Sequence, residues 1–257
     1  MVMPADTSVG ALTAAQAAAV VSAATAGPAL PGDSSWSIDG TAAGFAVQAD
    51  PPASLGADIG ARQVRIAAGA ALLNLRVAGR ALGVSAVIEL LPDATRLEVL
   101  GAVHTHSRHP AGAEDLALAR AQSAARSTRR LWSGPFPELV RTALRRAART
   151  EGAWLAMMTQ RQQGRLDHLS VAAARPHQLV AVVGTLEDGP LAQLRAGLGL
   201  QRVLLTAITL GLQPGVEPQL ADHPATRQLL RELLGGALWP HMVIQVNYRE
   251  SGPEPGR

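Results

Sequence analysis

Two apolar stretches bounded by glycine, 128 residues apart, constrain the fold of this chain more than any other feature. The first runs from Gly69 to Gly83 (GAALLNLRVAGRALG) and the second from Gly197 to Gly211 (GLGLQRVLLTAITLG). Each is apolar nearly all round over a helical length, which is typical of a buried helix. Each ends on a glycine, the residue that most readily adopts the left-handed conformation just past a helix end. The pair predicts a duplicated core helix. Chance likeness between two alanine- and leucine-rich helices is the alternative.

Gly69 and Gly197 lie early in the two predicted helices, where glycine costs about 1 kcal/mol relative to alanine. The same cost at the same register predicts that another helix or backbone approaches closely at these positions. We therefore expect the helices at 61–83 and 190–211 to pack against each other about an approximate two-fold axis. The wetter side of the first helix is expected to carry its arginines, which are Arg62, Arg65, Arg76 and Arg80.

Composition sets the limits on domains and partners. With 257 residues, 47% of them hydrophobic, the chain can bury one large core or two small ones. We expect a single domain over 1–257, with a first half at 1–103 and a second at 104–257. Arginine carries every basic charge because lysine is absent, and the net charge of +3 demands neither a nucleic acid nor a membrane as partner. The absence of cysteine excludes disulfides and thiolate metal sites.

Targeting signals are also missing from the pattern. No apolar run approaches the ~20 residues of a membrane-spanning helix. The alanine-rich N-terminus has no basic residue before Arg62, so it lacks the positive region of a signal peptide. The sequence therefore predicts a cytoplasmic protein.

The remaining elements are predicted from turn signals and periodicity. Thr13 and Gln16 form a capping box that begins a helix ending near Thr25. A polar turn or mobile loop is expected at 160–168. Strands are predicted at 36–39, 44–48, 84–91, 96–103, 169–173, 178–184 and 241–248, and further helices at 113–126, 137–149 and 224–234. This order is compatible with an α+β sandwich.

Candidate catalytic motifs are weak. His104, His106 and His109 have a spacing that could hold a metal, but no carboxylate is interleaved, so we expect no metal site there. Gly197-Leu-Gly199 lacks the third glycine of a dinucleotide fingerprint and lies inside a helix. No G-x-S-x-G elbow occurs. The residues alone therefore predict no catalytic nucleophile, acid or base.

Several longer runs resemble the nitroreductase superfamily, and most closely its Acg-type branch, in which two nitroreductase-like halves are fused. ARQVRIAAGAALLNLRVAGRALGVSAVIELLPD resembles the first core helix and strand of the family, and LRAGLGLQRVLLTAITLGL resembles the counterpart in the second half. LWPHMVIQVNY is similar to the closing strand, and EGAWLAMMT to a stretch between the halves. The resemblance implies an α+β, nitroreductase-like three-layer sandwich, internally duplicated around paired core helices.

The same resemblance implies a cofactor and an assembly. Ordinary members dimerise and place flavin mononucleotide (FMN) at the subunit interface, so a fused chain would form that interface internally. We expect a monomer acting as a pseudo-dimer, and the sequence leaves further dimerisation open.

The family's polar motifs are only partly present. Where members show A-P-S-x-H-N-x-Q-P-W, residues 27–36 read GPALPGDSSW, so Pro28 and Trp36 match, and Ser34 is a further polar candidate. Where members show R-R-T-x-R-R-P-F, residues 104–111 read HTHSRHPA, so Arg108 and Pro110 match, and Ser107 lies beside Arg108. By resemblance, Ser107 and Arg108 would hold the flavin phosphate. Pro28, Ser34 and Trp36 would then lie near its ring between the halves.

Two functions remain open. In the first, FMN takes hydride from NAD(P)H and passes electrons to a small-molecule acceptor such as a nitro compound or a quinone. In the second, the chain is a non-catalytic descendant that sequesters flavin, binds another ligand or has lost FMN altogether. The intact core helices favour the first function, and the missing polar motifs favour the second.

Overall fold

The computed structural model describes residues 9–25, 35–50, 59–123, 136–166 and 178–247. The first of two sheets contains β1 (Trp36–Thr41), β2 (Gly44–Ala49), β3 (Val84–Leu90) and β4 (Val99–Arg108). The second contains β5 (Trp154–Met157), β6 (Leu179–Thr185), β7 (Gln213–Glu217) and β8 (Trp239–Asn247). The helices are α1 (Ala14–Thr25), α2 (Ile59–Ala81), α3 (Ala113–Ser123), α4 (Glu138–Thr150), α5 (Gln160–Gly164), α6 (Pro190–Thr209), α7 (Pro218–Asp222) and α8 (Pro224–Leu233).

The two sheets have the same topology. The first has the order β1-β2-β4-β3 and the second β5-β6-β8-β7, with every pair antiparallel. Each has a long helix, α2 or α6, between its second and third strands in sequence. β4 continues to Arg108, so the first sheet extends past the division expected after residue 103.

Both sheets also carry an irregularity at the same place. The ladder between β2 and β4 shifts register between Val47 and Gln48, which leaves Leu100 as the extra residue. The ladder between β6 and β8 shifts between Val183 and Gly184, which leaves His241 as the extra residue. A β-bulge re-aims the side chains beside it. Leu100 and His241 are therefore equivalent positions, and both are completely buried.

The core helices α2 and α6 pack against each other between the two sheets. Residues of α2 contribute to the hydrophobic cluster around the second sheet, and residues of α6 contribute to the cluster around the first. The result is a sheet–helix–sheet sandwich of α+β class, as predicted. A smaller cluster on the outer face of the second sheet includes residues of α7 and α8, together with Met158 and Leu166 on either side of α5.

The contact between α2 and α6 is reciprocal. A side chain on Gly69 would overlap the backbone carbonyl of Leu194, and one on Gly197 would overlap the backbone carbonyl of Ile66. Leu194 follows Ile66 by the same 128 residues that separate the two glycines. Exchanging the partners in this way is what a two-fold axis requires of an interface. The predicted close approach at the two glycines is confirmed.

Local predictions at the helix ends also hold. Gly83 and Gly211, just past α2 and α6, have φ of 75° and 76°. Thr13 Oγ1 accepts from the backbone N–H of Gln16, which confirms the capping box. Among the described residues, none of the helices combines the length and apolarity that crossing a bilayer requires.

Several details differ from the sequence predictions. β5, β7 and α7 were not predicted, and β4 begins at Val99 instead of residue 96. The expected polar turn or loop at 160–168 begins with α5, which Thr159 and Gln162 cap. Arg62 is 5% exposed and Arg76 pairs with the buried Glu151, so expecting the wetter side at these positions was wrong. The strand predicted at 169–173 lies outside the described residues.

Candidate functional site

Trp36 begins β1, at the edge of the first sheet, where the two halves meet. Its side chain packs against both large hydrophobic clusters, one centred on each sheet. The indole Nε1–H is buried and has no hydrogen-bond partner among the described residues. A buried donor without an acceptor costs about 1–3 kcal/mol. A polar ligand atom at this position would remove that cost.

The second half has no tryptophan at the equivalent position. Trp36 pairs with Ala49, two residues beyond the bulge at Val47. In the second sheet Trp154 pairs with Gly184, only one residue beyond the bulge at Val183. A shift of one residue turns a side chain to the opposite face of a sheet. Trp154 is accordingly 42% exposed, while the preceding Ala153 is buried.

Ser107 and Arg108 lie at the other end of the first sheet. Trp36 is level with the start of β4, because Ala49, its partner on β2, donates to the carbonyl of Glu98. Ser107 and Arg108 are the last two residues of β4. With a rise of ~3.3 Å per residue, the separation along the strand is about 30 Å. The structure therefore does not bring Ser107 and Arg108 together with Trp36.

The surroundings of Arg108 also disfavour a phosphate. Its Nη1 donates to the carbonyl of Leu82, just past the C-terminal end of α2, at 3.5 Å. Helix C-termini carry partial negative charge, which attracts a guanidinium and repels an anion. Ser107 and Arg108 are both exposed. Pro28 and Ser34 lie outside the described residues.

These positions decide how well the chain fits FMN. A single flavin cannot reach from Trp36 to Arg108, so the two predicted parts of the site do not belong to one ligand. The buried indole N–H at the junction of the halves fits the polar edge of a flavin ring. The residues predicted for the phosphate do not fit the same molecule.

The histidines whose spacing could hold a metal lie at the end of the first sheet, His104 and His106 in β4 and His109 just past it. His104 Nε2 lies 2.8 Å from Glu89 Oε2 on the neighbouring strand β3. The rings of His104 and His106 stack with centroids 5.9 Å apart. Glu89 is a carboxylate that the sequence spacing did not reveal. No group of three or more potential metal ligands with suitable geometry occurs among the described residues.

The sequence missed a buried polar cluster that joins α2 to the second half. Arg62 donates to the carbonyls of His241 and Ala221, at 3.0 and 2.9 Å, and forms an ion pair with Asp222. Burial lowers the pKa of Arg62, and the charge of Asp222 partly offsets this effect. The guanidinium nevertheless stays charged, because arginine is protonated at any physiological pH.

His241, the bulge residue of β8, is the most deeply buried member of this cluster. Its Nε2 lies 2.6 Å from Thr185 Oγ1, and that hydroxyl donates to the carbonyl of Glu187. Burial, with a further contribution from Arg227, lowers the pKa of His241 to about 3. The imidazole is therefore neutral, and its Nδ1 has no partner among the described residues.

A bidentate ion pair borders the cluster on the side of α8. Arg227 donates to both carboxylate oxygens of Asp188 and to the carbonyl of Pro240. Burial acts to raise the pKa of Asp188, but the hydrogen bonds and charge of Arg227 outweigh it and hold the pKa below its usual value. Arg227 and Arg231 both lie over the ring of Trp239.

The cluster is specific to the second half. The position of His241 is taken in the first half by Leu100, and the position of Thr185 is taken by Ala49, by the shared bulge register. In the sequence, the one sign of a buried polar residue here is a histidine placed directly before the apolar run at 242–244 of a predicted strand. Its partners come from distant parts of the chain, so the pattern alone could not identify them.

Comparison with known proteins gives one kind of match. No protein-family model and no curated protein sequence matches the chain. Among solved structures, it is similar to nitroreductase A from Vibrio parahaemolyticus (16% identity, 55% of this chain, 71% of the other, TM-score 0.42). It is also similar to the NADPH:FMN oxidoreductase from Vibrio harveyi, solved with NAD+ (17% identity, 55% of this chain, 72% of the other, TM-score 0.42). A third similar structure is a Parabacteroides distasonis protein predicted to be an NADH dehydrogenase/NAD(P)H nitroreductase (18% identity, 55% of this chain, 91% of the other, TM-score 0.43). Likenesses at this level identify no residue of the site.

Proposed function

We propose that this chain is a nitroreductase-like oxidoreductase built as a single-chain pseudo-dimer, with FMN between its halves at Trp36 and NAD(P)H as its reductant. The observation that carries the proposal is the reciprocal contact of α2 and α6 between two sheets of identical strand order. Together with the shared bulge, it supports an origin by duplication. The sequence resemblance implies a flavin at such an interface. In this proposal the chain is cytoplasmic and its partner is a small-molecule electron acceptor.

The chain's own residues would act by binding and positioning. Trp36 would donate its Nε1–H to a polar atom at the edge of the ring and fix the ring's orientation. The two hydrophobic clusters that meet at Trp36 would keep water from that side of the ring. Bound FMN would supply the hydride chemistry that links NAD(P)H to a nitro compound or quinone. No acid, base or nucleophile of the protein is required for that exchange.

A second candidate, a non-catalytic protein that binds flavin or another ligand, is favoured by one specific observation. The residues predicted to hold the phosphate, Ser107 and Arg108, lie about 30 Å along β4 from the level of Trp36. Without these two residues, binding of FMN would depend on the contacts of its ring at Trp36.

One set of measurements separates the two. The purified protein is examined by absorbance, stripped of flavin and titrated with FMN, then mixed with NADH or NADPH under anaerobic conditions. The proposed enzyme binds one FMN per chain, loses the colour of oxidised flavin with a nicotinamide cofactor and turns over a quinone or nitrofuran. Binding without reduction supports the non-catalytic candidate. Absence of FMN binding would contradict a flavin site at Trp36.

A further inference from the structure

We propose that a second, exposed site on the outer edge of the second half binds a nucleoside phosphate. The site, which we call the Trp154 face, consists of Trp154, Arg146, Arg149 and Arg195. It is independent of the flavin site proposed at Trp36, and none of its residues takes part in that site.

The planar element of this face is Trp154. It is the first residue of β5, an edge strand of the second sheet, and 42% of it is exposed. The guanidinium carbon of Arg149 lies 5.6 Å from the centre of the Trp154 ring. Because Arg149 lies over one side of the ring, a base would stack on the other side, next to a fixed cation.

The positive charges of the face come from arginines of α4 and α6. The helix α4 contains four arginines and a single glutamate, Glu138, which pairs with Arg145. Glu138 precedes Arg149 by eleven residues, or roughly 16 Å along a helix. Arg146 and Arg149 are exposed, three residues apart on one side of the helix, and have no acidic partner among the described residues.

Arg195, from α6, lies against the turn that leads into β5. Its aliphatic stem lies against Gly152, in the turn between α4 and β5, where an added Cβ would be 3.4 Å from Arg195 Cδ. Gly152 has φ of 74°, a backbone conformation that residues other than glycine rarely adopt. The acid beside this turn, Glu151, is not available to the arginines of the face. Its side chain is 4% exposed and is bound by Arg76 and Arg202.

This combination selects a ligand with a planar base and an adjacent phosphate. Aromatic side chains stack on bases with little preference among them. Arginine forks bind phosphate oxygens by charge-assisted, bidentate hydrogen bonds. A long single strand would need several successive aromatic platforms. Trp154 is the one exposed aromatic side chain on this face among the described residues. We therefore assign the face to a single nucleotide unit, of which ADP is the simplest probe.

Isothermal titration calorimetry of the full chain at low salt tests the assignment, with ADP, adenosine and inorganic pyrophosphate as separate ligands. We expect ADP to bind more tightly than either fragment, since only ADP uses both parts of the face. Trp154→Ala should weaken ADP binding about tenfold. Arg149→Gln and Arg195→Gln should weaken binding of ADP and of pyrophosphate.

Arg120→Gln is the matched control, because it removes one exposed arginine from α3 without touching the face. It should leave the affinity for ADP unchanged, and thermal unfolding should show that every variant is folded. Three results would overturn the proposal. They are no ADP binding at millimolar concentration, equal binding by Trp154→Ala, and an equal loss in Arg120→Gln. Binding of the parent to anionic lipid vesicles but not to ADP would reassign the face to a membrane surface.

Discussion

Gly69 and Gly197 meet across the approximate two-fold axis between α2 and α6. A Cβ built on Gly69 would lie 3.1 Å from Cα of Gly197, and one built on Gly197 would lie 3.0 Å from Cα of Gly69. Each added Cβ would also overlap a backbone carbonyl of the other helix. Backbone cannot move aside as a flexible side chain can, so the two helices would have to separate.

We therefore expect Gly197→Ala to destabilise the fold, although alanine is the better helix former. Overpacking costs about 1–3 kcal/mol, and the upper part of that range applies here because the added methyl group would overlap the backbone carbonyl of Ile66. That cost exceeds the ~1 kcal/mol that alanine gains over glycine in a helix. Urea denaturation provides the measurement. Gly164→Ala is the control, because Gly164 lies in α5 and, in the part of the chain that the structure describes, nothing outside its own turn of helix lies within 4 Å of the added methyl group. A Gly197→Ala protein as stable as the parent would contradict the close approach.

The ion pair between Arg62 and Asp222 joins the start of α2 to α7 in the second half. Asp222→Asn should remove the charge that compensates Arg62, whose side chain is 6% exposed. Breaking a buried ion pair by neutralising one partner costs about 3–5 kcal/mol, since the other charge stays buried. Glu138→Gln serves as the matched control, because it breaks an exposed pair with Arg145. Exposed pairs contribute about 0–1 kcal/mol. Equal unfolding free energies for the two variants would show that Arg62 is adequately compensated by its backbone acceptors.

The core of this fold could be predicted from the sequence because its signals are local. Apolar periodicity and terminal glycines define α2 and α6, and the repeat offset identified Gly69 and Gly197 as contact positions. The short strands β5 and β7 lack comparable signals. β5 has four residues, and β7 contains Pro214 and Gly215, which are unusual within strands.

The polar site residues could not be predicted for a different reason. Helical periodicity places Arg62 on a polar side of α2, but its acceptors lie about 160 to 180 residues away in α7 and β8. Likewise, a motif match at Arg108 said nothing about its distance from Trp36. Such relations depend on tertiary contacts, which the local pattern does not contain.

The buried His241 should make stability depend on pH. Burial lowers the pKa of His241 to about 3 in the folded state, against ~6.5 in the unfolded chain. Between these values the unfolded chain binds a proton that the folded protein does not, so the free energy of unfolding falls as the pH falls. From pH 7 to pH 5 the loss should be about 2 kcal/mol.

His241→Leu tests this with the residue that the first half carries at the equivalent position, Leu100. Urea denaturation of parent and variant at several pH values gives the two slopes. The variant should lose less stability than the parent between pH 7 and pH 5, whatever its stability at pH 7. Identical slopes would show that His241 takes up its proton in the folded protein as readily as in the unfolded chain.

The last prediction separates the two parts of the flavin site expected from the sequence. If FMN binds at Trp36, Trp36→Phe keeps an aromatic ring in the junction and removes the buried Nε1–H donor. Losing one hydrogen bond of this kind should weaken FMN binding to the flavin-free protein by about three- to tenfold. Arg108→Ala should leave the affinity unchanged, because Arg108 lies at the far end of β4 and donates to the C-terminal end of α2. Titration with FMN, followed by flavin fluorescence, measures both variants. A loss in Arg108→Ala with no change in Trp36→Phe would place the flavin at the end of β4 instead.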